Sequence, residues 1–106
     1  MKVVIASSGP ALSAQIDPRL GRAPYFIVAD TDNDKFDVLE NKNIDAPSGA
    51  GVGAAKTIID SGAKAVIASN CGPKTEQILA AAGVKIYGGI TGTVEKAIEL
   101  LKQGKL

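Results

Sequence analysis

The feature that most constrains this chain is a change of hydrophobic period at Gly51. Upstream lie three compact apolar runs, Lys2 to Ser7 (KVVIAS), Tyr25 to Asp30 (YFIVAD) and Lys35 to Glu40 (KFDVLE). Their β-branched and aromatic content and short length predict strands. The turn signal TDND between the second and third predicts an antiparallel hairpin, and the imperfect alternation of the third puts it near a sheet edge. Downstream the period becomes helical: Val52, Ala55, Ile58 and Ile59 share one face, and Ser61-Gly62 ends that helix. A strand from Ala65 to Ser69, a helix from Pro73 to Ala82 closed by Gly83, a strand from Val84 to Tyr87 and a helix from Val94 to Gln103 complete the order βββαβαβα. Pro73 suits a first helical turn, Thr93 is placed to cap the last helix, and Glu95 puts negative charge at its amino end.

Connection rules turn that order into a topology. Hairpins place strands 1, 2 and 3 side by side, and right-handed crossovers place strands 4 and 5 parallel to strand 1 on its other side. The expected fold is α/β, a five-stranded mixed sheet in the order 3-2-1-4-5 with helices on both faces. The segments Ser7 to Pro24, Asn41 to Gly53, Asn70 to Lys74 and Gly88 to Thr93 then emerge together at the carboxyl edge of the parallel strands. That edge is where open α/β sheets bind ligands.

Size and composition narrow the function classes. The 106 residues predict a single domain, 1–106, with one core. Twelve basic against eleven acidic residues leave a formal charge of +1, which provides no global attraction to nucleic acid or to an anionic membrane. One cysteine, Cys71, excludes an internal disulfide, and the start MKVVIASSG runs into a strand without the apolar stretch of a signal peptide. A reducing cytoplasm is expected. No apolar run approaches the roughly twenty residues that a membrane helix needs.

The stretch SGAGVGAAKT, residues 48–57, resembles a phosphate loop at first sight. A P-loop requires glycine directly before its lysine, and Ala55 stands there. Gly49, Gly51 and Ala54 match the dinucleotide spacing, yet the segment follows the third strand of a meander, and the position about twenty residues on holds Ser69 or Asn70 rather than an acid. Nucleotide binding is therefore not expected. Two uses of Gly49, Gly51 and Gly53 remain open: bare N–H groups holding an anion at a helix start, or close packing of that helix.

Cys71 in SNCGPK sits between a strand and a helix amino end with Lys74 nearby, surroundings expected to lower its pKa. It can be read as a catalytic thiol, a ligand to a metal cluster, or a small buried side chain. No histidine exists to serve as its base or as a second ligand, and one thiolate with carboxylates does not make a closed zinc site. The loop IDPRLGRAPYF offers Asp17, Arg19 and Arg22, whose guanidiniums suit anions or pin backbone carbonyls. Ser7, Ser8 and Gly9 either line the crevice or make the turn. A ribonuclease-H-type nuclease shares the strand order, but its metal chemistry needs carboxylates converging on the sheet, and the first and fourth strands carry none.

The blocks DPRLGRAPYFIVAD, SGAGVGAA, GPKTEQILAAAGVKIYGG and TGTVEKAIELLKQGKL together resemble the dinitrogenase iron-molybdenum cofactor biosynthesis family over nearly the whole chain. The resemblance implies a ribonuclease-H-like fold without nuclease activity. It also implies binding, carriage or insertion of an iron-sulfur or iron-molybdenum type cluster or precursor, with a possible protein partner in cluster assembly. The matched positions are Gly21, Arg22, Gly49, Gly51, Gly53 and Gly72. Nitrogenase-linked members often carry a histidine beside the GRA block, where this chain reads IDPRLGRA, so ligation within one chain is confined to Cys71 and oxygen ligands. Taken together, the expected cofactor-binding residues are Ser8, Arg19, Arg22, Gly49, Gly51, Gly53, Asn70, Cys71 and Gly72, with Cys71 on the metal, no catalytic residue, and a monomer or homodimer. The alternative expectation is a protein-interaction or regulatory module that keeps the fold without a cofactor.

Overall fold

The computed structural model describes residues 1–42 and 50–106. Its elements are β1 (Lys2–Ser7), a 3-10 turn (Leu20–Arg22), β2 (Tyr25–Asp30), β3 (Phe36–Glu40), α1 (Ala50–Asp60), β4 (Ala65–Ile67), α2 (Pro73–Ala81), β5 (Lys85–Tyr87) and α3 (Val94–Lys102). The strands form one mixed sheet in the order β3-β2-β1-β4-β5, as the connection rules require. β1 pairs antiparallel with β2, Val4 opposite Val28, and parallel with β4, Ile5 opposite Ile67. β4 runs parallel to β5.

Helices cover both faces because β1 and β2 are apolar on both. Val4, Ala6, Phe26 and Val28 pack with Ala54, Ala55 and Ile58 of α1 and Leu79 of α2. Val3, Ile5, Ile27 and Ile67 pack on the other side with Val94 and Ala97 of α3. Phe26, Ile5, Ile27 and Ile67 are fully buried. Each such side chain contributes about 1.5–3 kcal/mol by leaving water. α2 ends on Gly83, whose φ of +79° admits the left-handed cap, with the Val84 N–H donating back to Leu79 O at 2.9 Å. Thr93 caps α3 as expected, its Oγ1 accepting from Lys96 N at 3.2 Å.

One face assignment changes. Val52 and Ile59 are exposed, whereas Ala54, Ala55 and Ile58 form the buried stripe of α1. In the first turn of α1, Gly51 lies close against Thr75 of α2. No helix among the described residues is long and apolar enough to cross a membrane.

Candidate functional site

The long segment between β1 and β2 is an ordered, hydrogen-bonded structure. Ser7 Oγ donates to Gly9 O at 2.6 Å, and the N–H and hydroxyl of Ser8 both donate to Gln15 O, at 3.0 and 2.8 Å. Further along, Asp17 N donates to Ala6 O at 2.9 Å, and Ile16 N to Gly92 O at 2.9 Å. Ser8 therefore spends its hydroxyl on closing the turn, the structural one of its two expected uses. Asp17 is buried, and its carboxylate accepts from Arg19 N at 2.9 Å and faces Arg19 Nε at 3.9 Å. This fixes the backbone of the arginine loop while the Arg19 side chain extends into solvent.

Leu20 is buried and its N–H donates to Asn70 O at 3.3 Å, which joins the arginine loop directly to the segment after β4. Asn41, at the end of β3, is buried and donates from Nδ2 to Gly21 O at 3.1 Å and Ala23 O at 2.7 Å. Asn41 was not among the expected site residues, and it pins two backbone carbonyls of the arginine loop. A polar amide placed where a strand meets a Gly-Arg-Ala loop was the available signal, and nothing local distinguishes it from an ordinary turn asparagine. Arg22 is half-buried on the 3-10 turn, against α1.

The structure thus brings Arg19, Arg22, Asn70, Cys71, Gly72 and the start of α1 to one edge of the sheet. Gly49 lies outside the described residues. Gly51 faces α2: a Cβ there would collide with Thr75 Oγ1, so this glycine serves the close approach of the two helices. The Gly53 carbonyl accepts from Thr57 Oγ1 at 3.0 Å. Gly72, the residue before α2, has open space where a Cβ would stand.

The two described helix amino ends at this edge differ in what they offer. On α3 the N–H groups of Val94 and Glu95 donate to Ala14 O and Leu12 O, both at 2.9 Å, and those of Lys96 and Ala97 to Thr93. That end is fully occupied by the long loop. α2 begins with Pro73, which has no N–H, and Gly72 provides no side-chain cap. Among the described residues no acceptor takes the N–H groups of Lys74 and Thr75. Among the described residues these two donors and the helix dipole stand unpartnered next to Cys71 in the chain.

The thiol itself corrects an expectation. Cys71 is half-buried against the α1–α2 core, and burial pushes its pKa up, with the nearby Glu76 carboxylate adding to the rise. Lys74 was expected to lower it. At neutral pH the group is a thiol, which argues against an activated nucleophile. Among the described residues no group of three or more Cys, Asp or Glu is placed to hold a metal ion. A groove of about 280 Å³ runs along α3 to the β2–β3 turn, from Leu12 and Glu95 to Lys102, and includes none of Arg19, Arg22, Asn70, Cys71 or Gly72.

The family model of the dinitrogenase iron-molybdenum cofactor family matches residues 1–104. The chain belongs to that family. Among solved structures, the apo form of the orange protein from Desulfovibrio gigas is 32% identical, with a TM-score of 0.94 over 98% of this chain and 88% of that one. A candidate NifB protein of the DUF35 family from Thermotoga is 36% identical, with a TM-score of 0.83 over 98% of this chain and 89% of that one. A candidate dinitrogenase protein from Methanocaldococcus jannaschii, at 20% identity and a TM-score of 0.74 over 100% and 91% of the two chains, shares the fold. No curated protein is similar in sequence.

Proposed function

We propose that this chain is a non-enzymatic binder and carrier whose cargo is an iron-sulfur or iron-molybdenum type cluster or precursor, held at the carboxyl edge around Cys71. The observation that carries the reading is the bond from Leu20 N to Asn70 O, which sets the arginine loop beside the uncapped start of α2. A soft sulfur ligand, the N–H groups at the start of α2 that are unpartnered among the described residues, and the guanidiniums of the arginine loop then share one edge of the sheet, a combination suited to a compact metal-sulfur anion. Family membership supports the same cargo. A lone thiol and the absence of histidine suit retention and release better than catalysis.

Anaerobic titration with a soluble iron-sulfur cluster salt, followed by absorbance, tests this. Wild type should bind, and Cys71→Ser or Arg22→Ala should weaken binding by about ten- to a hundredfold, the equivalent of about 1.5–3 kcal/mol for one charge-assisted contact. Because the thiol must lose its proton to ligate, wild-type affinity should rise about tenfold per pH unit below the raised thiol pKa, and Cys71→Ser should abolish that slope. Equal binding by all three proteins, or none by any while circular dichroism reports a native fold, would replace the proposal with the interaction-module reading.

A further inference from the structure

Four polar or charged side chains are buried among the described residues, and one of them stands apart. Ser7 Oγ donates to Gly9 O, the Asp17 carboxylate accepts from Arg19 N, and Asn41 Nδ2 donates to Gly21 O and Ala23 O. The fourth is Thr75, 6% exposed, whose Oγ1 makes no hydrogen bond among the described residues. A buried hydroxyl without a partner is costly, so an acceptor that reached it would remove that cost. It is reachable, since no partnerless side-chain oxygen among the described residues is sealed from solvent.

The surroundings of this hydroxyl decide what the acceptor can be. Thr75 lies in the first turn of α2, where the Cα–Cβ bond tilts toward the amino end of the helix. Its Oγ1 also points at the first turn of α1, only 2.4 Å from where a Cβ on Gly51 would stand. The amino ends of the two helices therefore meet at one hydroxyl, and their dipoles put two partial positive charges side by side. Among the described residues no acceptor takes the N–H groups of Gly51, Val52, Lys74 or Thr75. Glu76 is the one acid in either first turn; it is exposed, and α2 has no side-chain cap.

We propose that the junction of α1 and α2 binds a small tetrahedral oxyanion of the phosphate class, with the Thr75 hydroxyl and the N–H groups of Lys74 and Thr75 as its donors. A hydroxyl hydrogen rotates freely and can turn to the same point as the two N–H groups. Three donors within one helical turn suit an ion whose oxygens are close together, and two converging dipoles suit its charge. Gly51 keeps the place open, because a side chain there would stand on the hydroxyl. The oxyanion shares the α2 donors with the cluster cargo proposed above and so competes with it. It needs neither Cys71 nor Arg22, and the inference does not depend on the cluster reading.

Nitrogen-15 NMR of the whole chain, titrated with inorganic phosphate and separately with sodium chloride at matched ionic strength, tests the proposal. The Lys74 and Thr75 amides should shift saturably with phosphate and not with chloride. Those of Val94 and Glu95, already bonded to Ala14 O and Leu12 O, should stay in place. Thr75→Val keeps the branched shape without the hydroxyl and should weaken phosphate binding by about tenfold or more, whereas Thr75→Ser should retain it. Should Thr75→Val fail to fold, the wild-type and Thr75→Ser titrations still decide. No saturable shift at Lys74 and Thr75 in wild type, equal shifts at Val94 and Glu95, or wild-type affinity in a folded Thr75→Val would overturn it. Each of those results leaves the cluster reading standing, because that reading is measured at Cys71 and Arg22.

Discussion

Cys71 is chemically quiet at neutral pH. Its thiol is raised by burial and by Glu76, and the folded state therefore holds the proton more tightly than the unfolded chain does. Linkage gives the sign: stability is unaffected below the ordinary thiol value of about 8.5, and falls as pH rises from there through the raised folded value. Chemical unfolding should become easier over that window in wild type, and Cys71→Ser should flatten the decline. Iodoacetamide should also modify the folded protein more slowly at pH 7 than it modifies a free cysteine. Asn41 is the opposite case, a neutral side chain with a large structural duty. Asn41→Ala leaves the carbonyls of Gly21 and Ala23 without their buried donor. At about 1 kcal/mol per bond the cost is about 2 kcal/mol, a fall of roughly 8–16 °C in Tm for a domain of this size. Cysteine chemistry was misjudged from sequence because Lys74 is adjacent in the chain, whereas the field at the sulfur is set by burial and by Glu76 one helical turn on. Asn41 was missed because its partners lie eighteen and twenty residues away.

Elements were more legible than single residues. β1 and β2 match their expected spans, since their inward and outward sides are both apolar and no alternative period competes. β4 and β5 are shorter than expected, although the ladder continues beyond them through Ala68 N to Tyr87 O at 3.0 Å and Gly89 N to Ser69 O at 3.0 Å. The face of α1 was misassigned because its apolar pattern fits two neighbouring stripes, and the choice rests on a tertiary contact that sequence period does not encode. That contact is Gly51 against Thr75, and it can be tested at the helix pair. Gly51→Ala should destabilise by about 1–3 kcal/mol through overpacking, despite alanine's better helix propensity. Adding Thr75→Ala removes the obstructing hydroxyl and should recover part of the loss in thermal melts. A destabilisation unchanged by the second substitution would mean that the glycine serves something other than the α1–α2 approach.

At the scale of the molecule, topology was readable because βββαβαβα with right-handed crossovers leaves one simple sheet order. The convergence of the arginine loop, the end of β3 and the start of α2 followed from that order, whereas the amino end of α2, unpartnered among the described residues, and the occupied one of α3 did not. Those depend on where the backbone of residues 12–16 comes to rest, and no local motif records it. The central position of β1 carries a consequence for biogenesis. This strand leads all the others in chain order, yet its parallel partner β4 lies some sixty positions later, and Val3 and Ile5 are covered by α3 at the far end. While the polypeptide is being made, the β1–β2–β3 meander must wait with its α3-facing surface bare, and the exposed Phe36 and Val38 stand on that surface. Nascent copies on neighbouring ribosomes would meet through it before the last helix exists to shield the middle of the sheet.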